Sequence, residues 1–232
     1  MNENRYERQL MLPEIGAEGQ QKIRSAKVLL IGVGGLGSPI SIYLTGAGIG
    51  TLGLMDDDVV SVTNLHRQVL YAESEIGLSK AEQAKKRLSA LNSEVKIETY
   101  AFRLTKENAE EIISKYDLVV DGCDNFATRY LIDDVCHRLG KPYVYGSIQG
   151  LNGQVSVFNV GENARRYRDL YPEEETTDFV PSKAVLGITP AIVGSVEANQ
   201  VLQLVADFGM PLINKLWTVD LRTMESWVMD LV

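Results

Sequence analysis

The chain has 232 residues, 45% hydrophobic and 23% charged, with a net charge of −8 and two cysteines, Cys123 and Cys136. It is long enough to bury a sizeable core, and its acidic balance without a long basic run argues against a nucleic-acid partner. Two thiols rule out a disulfide framework or a four-thiolate zinc site within one chain and fit a reducing, cytoplasmic setting. The polar start, Met1 to Gln9, predicts no signal peptide, and no apolar run approaches ~18 residues, so no membrane-spanning helix is expected.

In chain order, residues 1–26 read as a partly exposed helical arm. The apolar run Val28 to Ile31 leads into glycines 32, 34, 35 and 37, which predicts a strand over Val28–Gly32, a tight turn and a helix over Leu36–Gly46. Thr51–Met55 is the second strand, ending at Asp56-Asp57-Asp58. Residues 59–78 read as a loop or short helical segment rich in polar side chains. Ala81, Ala84, Leu88 and Leu91 share one face of a helix over Lys80–Leu91. Val95–Tyr100 alternates as a strand, and Thr105, Glu107 and Asn108 open a helix up to Lys115. Asp117–Asp121 is a strand, Asn125–Leu139 a helix and Tyr143–Gly146 a strand. This alternation predicts an α/β, doubly wound, Rossmann-like, mostly parallel sheet. Further on, Gly153–Val160 alternates as a strand exposed on one face. Residues 161–183 read as a mobile surface loop. Ile192–Val205 is a helix, and Leu216–Val219 with Trp227–Leu231 closes as an antiparallel pair. No internal repeat is present.

The glycine turn carries the chemistry. A helix start after such a turn offers bare backbone N–H groups and a positive dipole end, which suits a phosphate. Asp56 lies 24 positions after Gly32 and can accept hydrogen bonds from ribose hydroxyls. A nicotinamide-dependent oxidoreductase would need little more. Yet Asn64-Leu-His-Arg67-Gln68, Lys80, Asp124-Asn125 and Arg129 also fall at ends of elements that a doubly wound sheet gathers on one edge. Arg and Lys there would neutralise phosphate charge, and Asp124 could hold Mg²⁺, a cation that takes carboxylate and phosphate oxygens. Asp57 reads as a solvated turn residue, His66 as a packing or capping residue, and His137 as a helix-surface one. Trp217 and Trp227 read as closing the core, and Cys123 as a small buried residue.

The ordered set resembles the ThiF/MoeB/HesA family, bacterial relatives of ubiquitin-activating enzymes. The shared elements are Arg5-Tyr-x-Arg8-Gln9, Gly32-x-Gly34-Gly35-Leu-Gly37, Asp56-x-Asp58, Asn64-Leu-x-Arg67-Gln68, Gly77-x-Ser-Lys80 and Asp121-Gly-Cys-Asp124-Asn125. They run in family order to about residue 205. The resemblance implies a single adenylation domain over 1–232, with the helical arm at 1–26, a nucleotide-binding part at 27–150 and a carrier-binding part at 151–232 that holds a mobile crossover loop at about 161–185. It implies ATP-dependent adenylation of the C-terminal glycine carboxylate of a ubiquitin-like sulfur carrier ending in Gly-Gly, ThiS-like or MoaD-like, in thiamine or molybdenum-cofactor sulfur transfer. Asp56 would hold the ribose, Asn64, Arg67 and Lys80 the phosphates, and Asp124 Mg²⁺. Gln68 would orient its loop. In a homodimer, Arg8 would complete the other subunit's site.

The match has gaps. Many relatives carry two Cys-x-x-Cys pairs for a structural zinc, so no zinc is expected here. Many have a cysteine in the crossover loop, where this chain reads Pro181-Ser182-Lys183-Ala184. Adenylation without covalent transfer through that loop is therefore expected. The length, with no rhodanese-like extension, favours a bare activating enzyme. A catalytically idle nucleotide-binding scaffold is a further reading, opposed by the retained Arg67 and Lys80.

Overall fold

The computed structural model describes residues 3–173, 182 and 184–231. Eight strands form one sheet: β1 (Lys27–Ile31), β2 (Thr51–Met55), β3 (Lys96–Tyr100), β4 (Leu118–Asp121), β5 (Tyr143–Gln149), β6 (Asn152–Phe158), β7 (Lys215–Asp220) and β8 (Glu225–Asp230). Their order is β3-β2-β1-β4-β5-β6-β7-β8. The first five pair in parallel and the last three antiparallel, as the sequence predicts for fold class. Val28, Leu29, Leu30, Val119 and Val120 are fully buried. Such continuous apolar runs belong to strands covered by helices on both faces.

Among the described residues the α-helices are α1 (Glu7–Leu10), α2 (Gly16–Ser25), α3 (Gly37–Ala47), α4 (Lys80–Leu91), α5 (Ala109–Ile113), α6 (Phe126–Leu139), α7 (Tyr167–Leu170) and α8 (Ile188–Ala206). One core holds Ile40 and Leu44 of α3, Leu88 of α4 and Val193 and Val201 of α8; the other holds Ile112 of α5, Ile132 and Val135 of α6 and Tyr167 of α7. From β1 the chain winds outward to β2 and β3, then crosses back to β4 on the other side of β1. The two directions part at the C-terminal ends of β1 and β4, where an open α/β sheet leaves a crevice.

Several elements differ from expectation. The helix expected from Thr105 shortens to α5, because Asn108 accepts from the Thr105 N–H and donates to the Arg103 carbonyl, a local turn that competes with helix. Strand β5 continues past Gly146 to Gln149 and joins β6 through a turn with Gly150 at φ 63°. Of the three extra residues, Ser147 and Gln149 are polar and only Ile148 is apolar, so no apolar run reveals them. Helix α8 starts four residues before Ile192, since a proline at 190 is compatible with a first helical turn. Trp227 stands 52% exposed on the edge strand β8 and does not close the core. Within the stretch expected to be mobile, α7 is helical and Tyr167 fully buried, while Arg166 and Arg168 pair with Asp133 and Asp134 of α6. Residues 174–181 and 183, which include Glu174, Glu175 and Lys183, lie outside the described residues.

Helix α8 also buries a carboxyl. Glu197 is fully buried and, among the described residues, neither oxygen has a hydrogen-bond partner. It fills the space left by Gly146, where a Cβ would lie 2.2 Å from the Glu197 carboxyl carbon. Burial pushes its pKa well above the carboxylate range, Asp121 adds to this and Arg129 opposes it. The folded chain therefore keeps a proton that the unfolded chain releases above about pH 4.3, so this residue makes stability fall as pH rises from there toward the folded-state pKa. Glu197→Gln removes that linkage. Its melting temperature should rise relative to the parent between pH 5 and pH 8; a difference independent of pH would contradict the assignment.

Candidate nucleotide and carboxylate site

The crevice is a cleft of about 1070 Å³. Its floor is the glycine turn between β1 and α3. Gly32 has φ 90°, and a Cβ there would lie 2.5 Å from the Gly122 carbonyl oxygen; a Cβ on Gly122 would lie 2.1 Å from the Gly32 carbonyl oxygen. Two bare backbones thus pass each other at the ends of β1 and β4. A Cβ on Gly37 would likewise meet the Gly32 oxygen at 2.2 Å, so Gly37 packs the helix start onto the turn and does not line the cleft. The Tyr71 hydroxyl donates to the Val33 carbonyl at 2.7 Å, and the Val33 N–H donates to Asp56 Oδ2 at 2.8 Å. Asp56 also accepts from the Asp58 N–H at 2.9 Å. Burial raises the pKa of Asp56, and Lys80 works against that rise. Its remaining lone pairs are available to ribose hydroxyls.

The cations come from segments that leave β2. Lys80 is the first residue of α4 and only 4% exposed. A positive charge at a helix N-terminus and out of water is unfavourable. Asp58 offsets it through Nζ···Oδ2 at 2.8 Å, and an anionic ligand would do the same. Arg67 donates through Nη1 to the Thr63 carbonyl at 2.9 Å and lies 2.8 Å from His66 Nε2. This segment is held from above, since a Cβ on Gly187, just before α8, would lie 2.2 Å from the His66 carbonyl. Gln68 is buried beside Gly34, and its side-chain oxygen has no partner among the described residues. Asp57, by contrast, is exposed and pairs with Arg103.

From β4 come Asp124 and Asn125. The Asn125 side-chain oxygen accepts from the Thr128 N–H at 2.9 Å and caps α6, leaving its amide nitrogen for a ligand. Asp124 is exposed on the cleft wall and its carboxylate has no hydrogen bond or ion pair among the described residues. An unpaired carboxylate facing space that suits phosphate oxygens is the donor set a magnesium ion takes.

Of the residues singled out from sequence, Gly32, Gly34, Gly35, Asp56, Asp58, Asn64, Arg67, Gln68, Lys80, Asp124 and Asn125 line this one cleft. Arg8 does not; it is exposed on α1. Arg129 reaches the cleft but is no ready phosphate ligand, because it is buried against Asp121, Cys123 and Gly146. Cys123 is only partly buried and lines the cleft; burial and the neighbouring Asp121 push its thiol upward, away from the reactive thiolate. Sequence reading passed over Phe102 and Leu104, an apolar wall beside Met55 suited to a base. It also passed over a neutral row, Ser147, Gln149, Asn152, Gln154 and Thr218. Strand alternation puts that row on one face only when β5, β6 and β7 are known to pair as Ser147↔Gln154↔Thr218.

The ThiF family model matches residues 6–231. The chain is 47% identical over 224 residues to the sulfur carrier protein adenylyltransferase of Thermus thermophilus, covering 94% of this chain and 83% of that protein. It is 43% identical over 230 residues to the probable adenylyltransferase/sulfurtransferase MoeZ of Mycobacterium tuberculosis, of which it spans 58%. Among solved structures, Escherichia coli MccB with ATP superposes with a TM-score of 0.81 at 25% identity, over 92% of this chain and 65% of that one. PaaA superposes with a TM-score of 0.86 at 22% identity, over 99% of this chain and 73% of that one, a likeness of fold.

The Gly32–Gly122 approach has a direct consequence. Gly122→Ala must separate two backbones, so we expect a stability loss of about 1–3 kcal/mol together with weaker ATP binding, read by denaturant unfolding and nucleotide titration. Parental values in both would mean that the approach constrains nothing.

Proposed function

The chain belongs to the ThiF family, and from that premise we propose how this cleft works: the chain is an adenylyltransferase that activates the C-terminal glycine carboxylate of a ubiquitin-like sulfur carrier with ATP, in thiamine or molybdenum-cofactor sulfur transfer. One observation carries the residue roles. Asn64, Arg67, Gln68, Lys80 and Asp124, scattered over 61 sequence positions, face the same cleft as the glycine turn. A nicotinamide enzyme would leave Arg67, Lys80 and Asp124 without a task. The neutral row from Ser147 to Thr218 extends the cleft toward the open end of the sheet, where an extended peptide tail can lie with its terminal carboxylate at the phosphates.

In the reaction a carboxylate oxygen of the carrier attacks the α-phosphorus. The bond to the bridging oxygen breaks, and pyrophosphate leaves as carrier acyl-adenylate forms. Asp56 holds the ribose. Asn64, Arg67 and Lys80 meet the phosphates and spread the charge that grows on them, so positioning and electrostatics supply the rate. Lys80 exchanges part of its contact with Asp58 for phosphate oxygens. Asp124 is the residue to hold Mg²⁺, which when bound neutralises phosphate charge. No protein nucleophile is needed.

Arg8 acts across a homodimer in this reading. Met11 and Leu12 follow it, and both are more than half exposed, as are Val59, Val62 and Val69 beside the cleft. A second copy covering these apolar side chains would bring its Arg8 to the phosphates. A cytoplasmic setting is part of the proposal; among the described residues no helix is long and apolar enough to cross a membrane.

ATP–pyrophosphate exchange with a panel of Gly-Gly-ended carriers tests the function: exchange should require one carrier's terminal carboxylate. Tight ATP binding without exchange for any carrier would favour the idle scaffold instead. Asp124→Ala should abolish exchange while the protein stays folded. Arg67→Ala and Lys80→Ala should each lose about 2–4 kcal/mol of transition-state stabilisation, by analogy with a lost oxyanion donor. Mixing inactive Arg8→Ala and Asp124→Ala subunits should restore part of the activity; verified mixed dimers that stay dead would rule out a shared site.

A further inference from the structure

Asp124 has no side-chain partner among the described residues, so its aim is inherited from the backbone of the short connection Gly122–Asn125. Hydrogen bonds on both sides fix that connection. The Gly122 N–H donates to the Ile31 carbonyl at 2.7 Å. The Cys123 N–H donates to Asp121 Oδ1 at 2.8 Å, and the Asn125 side chain caps α6. The Cys123 carbonyl, next to Asp124, accepts from Arg129 Nη2 at 2.9 Å.

Arg129 is tied through Nε and Nη2. Nε donates to Asp121 Oδ2 at 2.9 Å, and Nη2 also donates to the Gly146 carbonyl at 3.2 Å. Its guanidinium carbon stands 5.3 Å from the Tyr145 ring centroid. Asp121 Oδ2 accepts in addition from the Tyr143 hydroxyl at 3.0 Å. Asp121 is fully buried and Arg129 6% exposed. One planar fork thus joins the end of β4, the connection bearing Asp124 and the middle of β5. Burying such a pair is weakly justified by stability, since well-packed apolar residues often serve as well. What apolar residues cannot do is hold the Cys123 carbonyl in place.

We propose that Arg129, locked by Asp121, is a positioning residue that aims Asp124 at the magnesium–triphosphate. This rests on the role of Asp124 given above. Lysine keeps the charge but not the fork that reaches Asp121, Cys123 and Gly146 together.

The test is a double-mutant cycle of Arg129→Lys and Asp124→Asn, read by ATP affinity in Mg²⁺ and in EDTA and by exchange kcat/KM. With Asp124 present, Arg129→Lys should weaken magnesium-dependent ATP binding and exchange about tenfold or more, and leave affinity in EDTA within twofold. In the Asp124→Asn background it should cost less than twofold further. Equal losses in both backgrounds, or an equal loss in EDTA, would mean a structural role only and overturn the proposal. Should Arg129→Lys fail to fold, Tyr143→Phe, which removes only the hydroxyl from Asp121, takes its place in the cycle with the same expected pattern at smaller size; additive losses there overturn it equally. Asp124→Asn with an unchanged magnesium response would sink the Asp124 reading as well, whereas a lost response with additive losses sinks the brace alone.

Discussion

The close passage of two backbones at Gly32 and Gly122 is the constraint on which the site depends. Strands β1 and β4 are neighbours, and the chain leaves them in opposite directions. Only without side chains can the two exits stay in contact, the Gly122 N–H on the Ile31 carbonyl. That contact puts the helix start of α3, the carboxylate of Asp56 and the connection bearing Asp124 around one space. A wider gap would place the same residues around different spaces.

Charge is arranged against the overall balance. The chain is net acidic, yet its cleft collects Arg67 and Lys80, each held by an acceptor of this chain while unliganded. Asp58 holds Lys80, and the Thr63 carbonyl with His66 holds Arg67. Such contacts keep the cations in place at modest cost in reach, because a triphosphate offers stronger acceptors than one carboxylate or carbonyl. The buried charges behind the cleft obey a different rule. Asp121 is met by Arg129 and Tyr143, whereas Glu197, one strand away behind Gly146, has no hydrogen-bond partner among the described residues, and burial pushes its pKa well up.

The far end of the cleft is built by a second ion-pair group. Arg166 and Arg168 clamp α7 onto α6 through Asp133 and Asp134, and Arg168 lies 4.6 Å from the Tyr130 ring centroid. That clamp leaves Tyr171 on the cleft wall, its ring among those of Phe126, Tyr145 and Tyr167. The segment read from sequence as a mobile loop therefore begins as a rigid wall.

What the sequence by itself determined is the local grammar: the apolar run into glycines, the β-α alternation, the acidic end of β2, and the order of Asn64, Arg67, Lys80 and Asp124. These follow from spacing and backbone freedom within a few residues, and they suffice to mark the family and most cleft residues. Tertiary structure alone decided where long side chains went and which distant positions met. Arg129 has the same chemistry as Arg67, yet it turns inward because β4 and β5 offer it a carboxylate and two carbonyls. Arg8 stays off its own chain's cleft, and the row from Ser147 to Thr218 becomes one surface only through strand pairing. Composition cannot reveal such facts, because each depends on which strand lies beside which, and that is settled by burying the whole sheet at once.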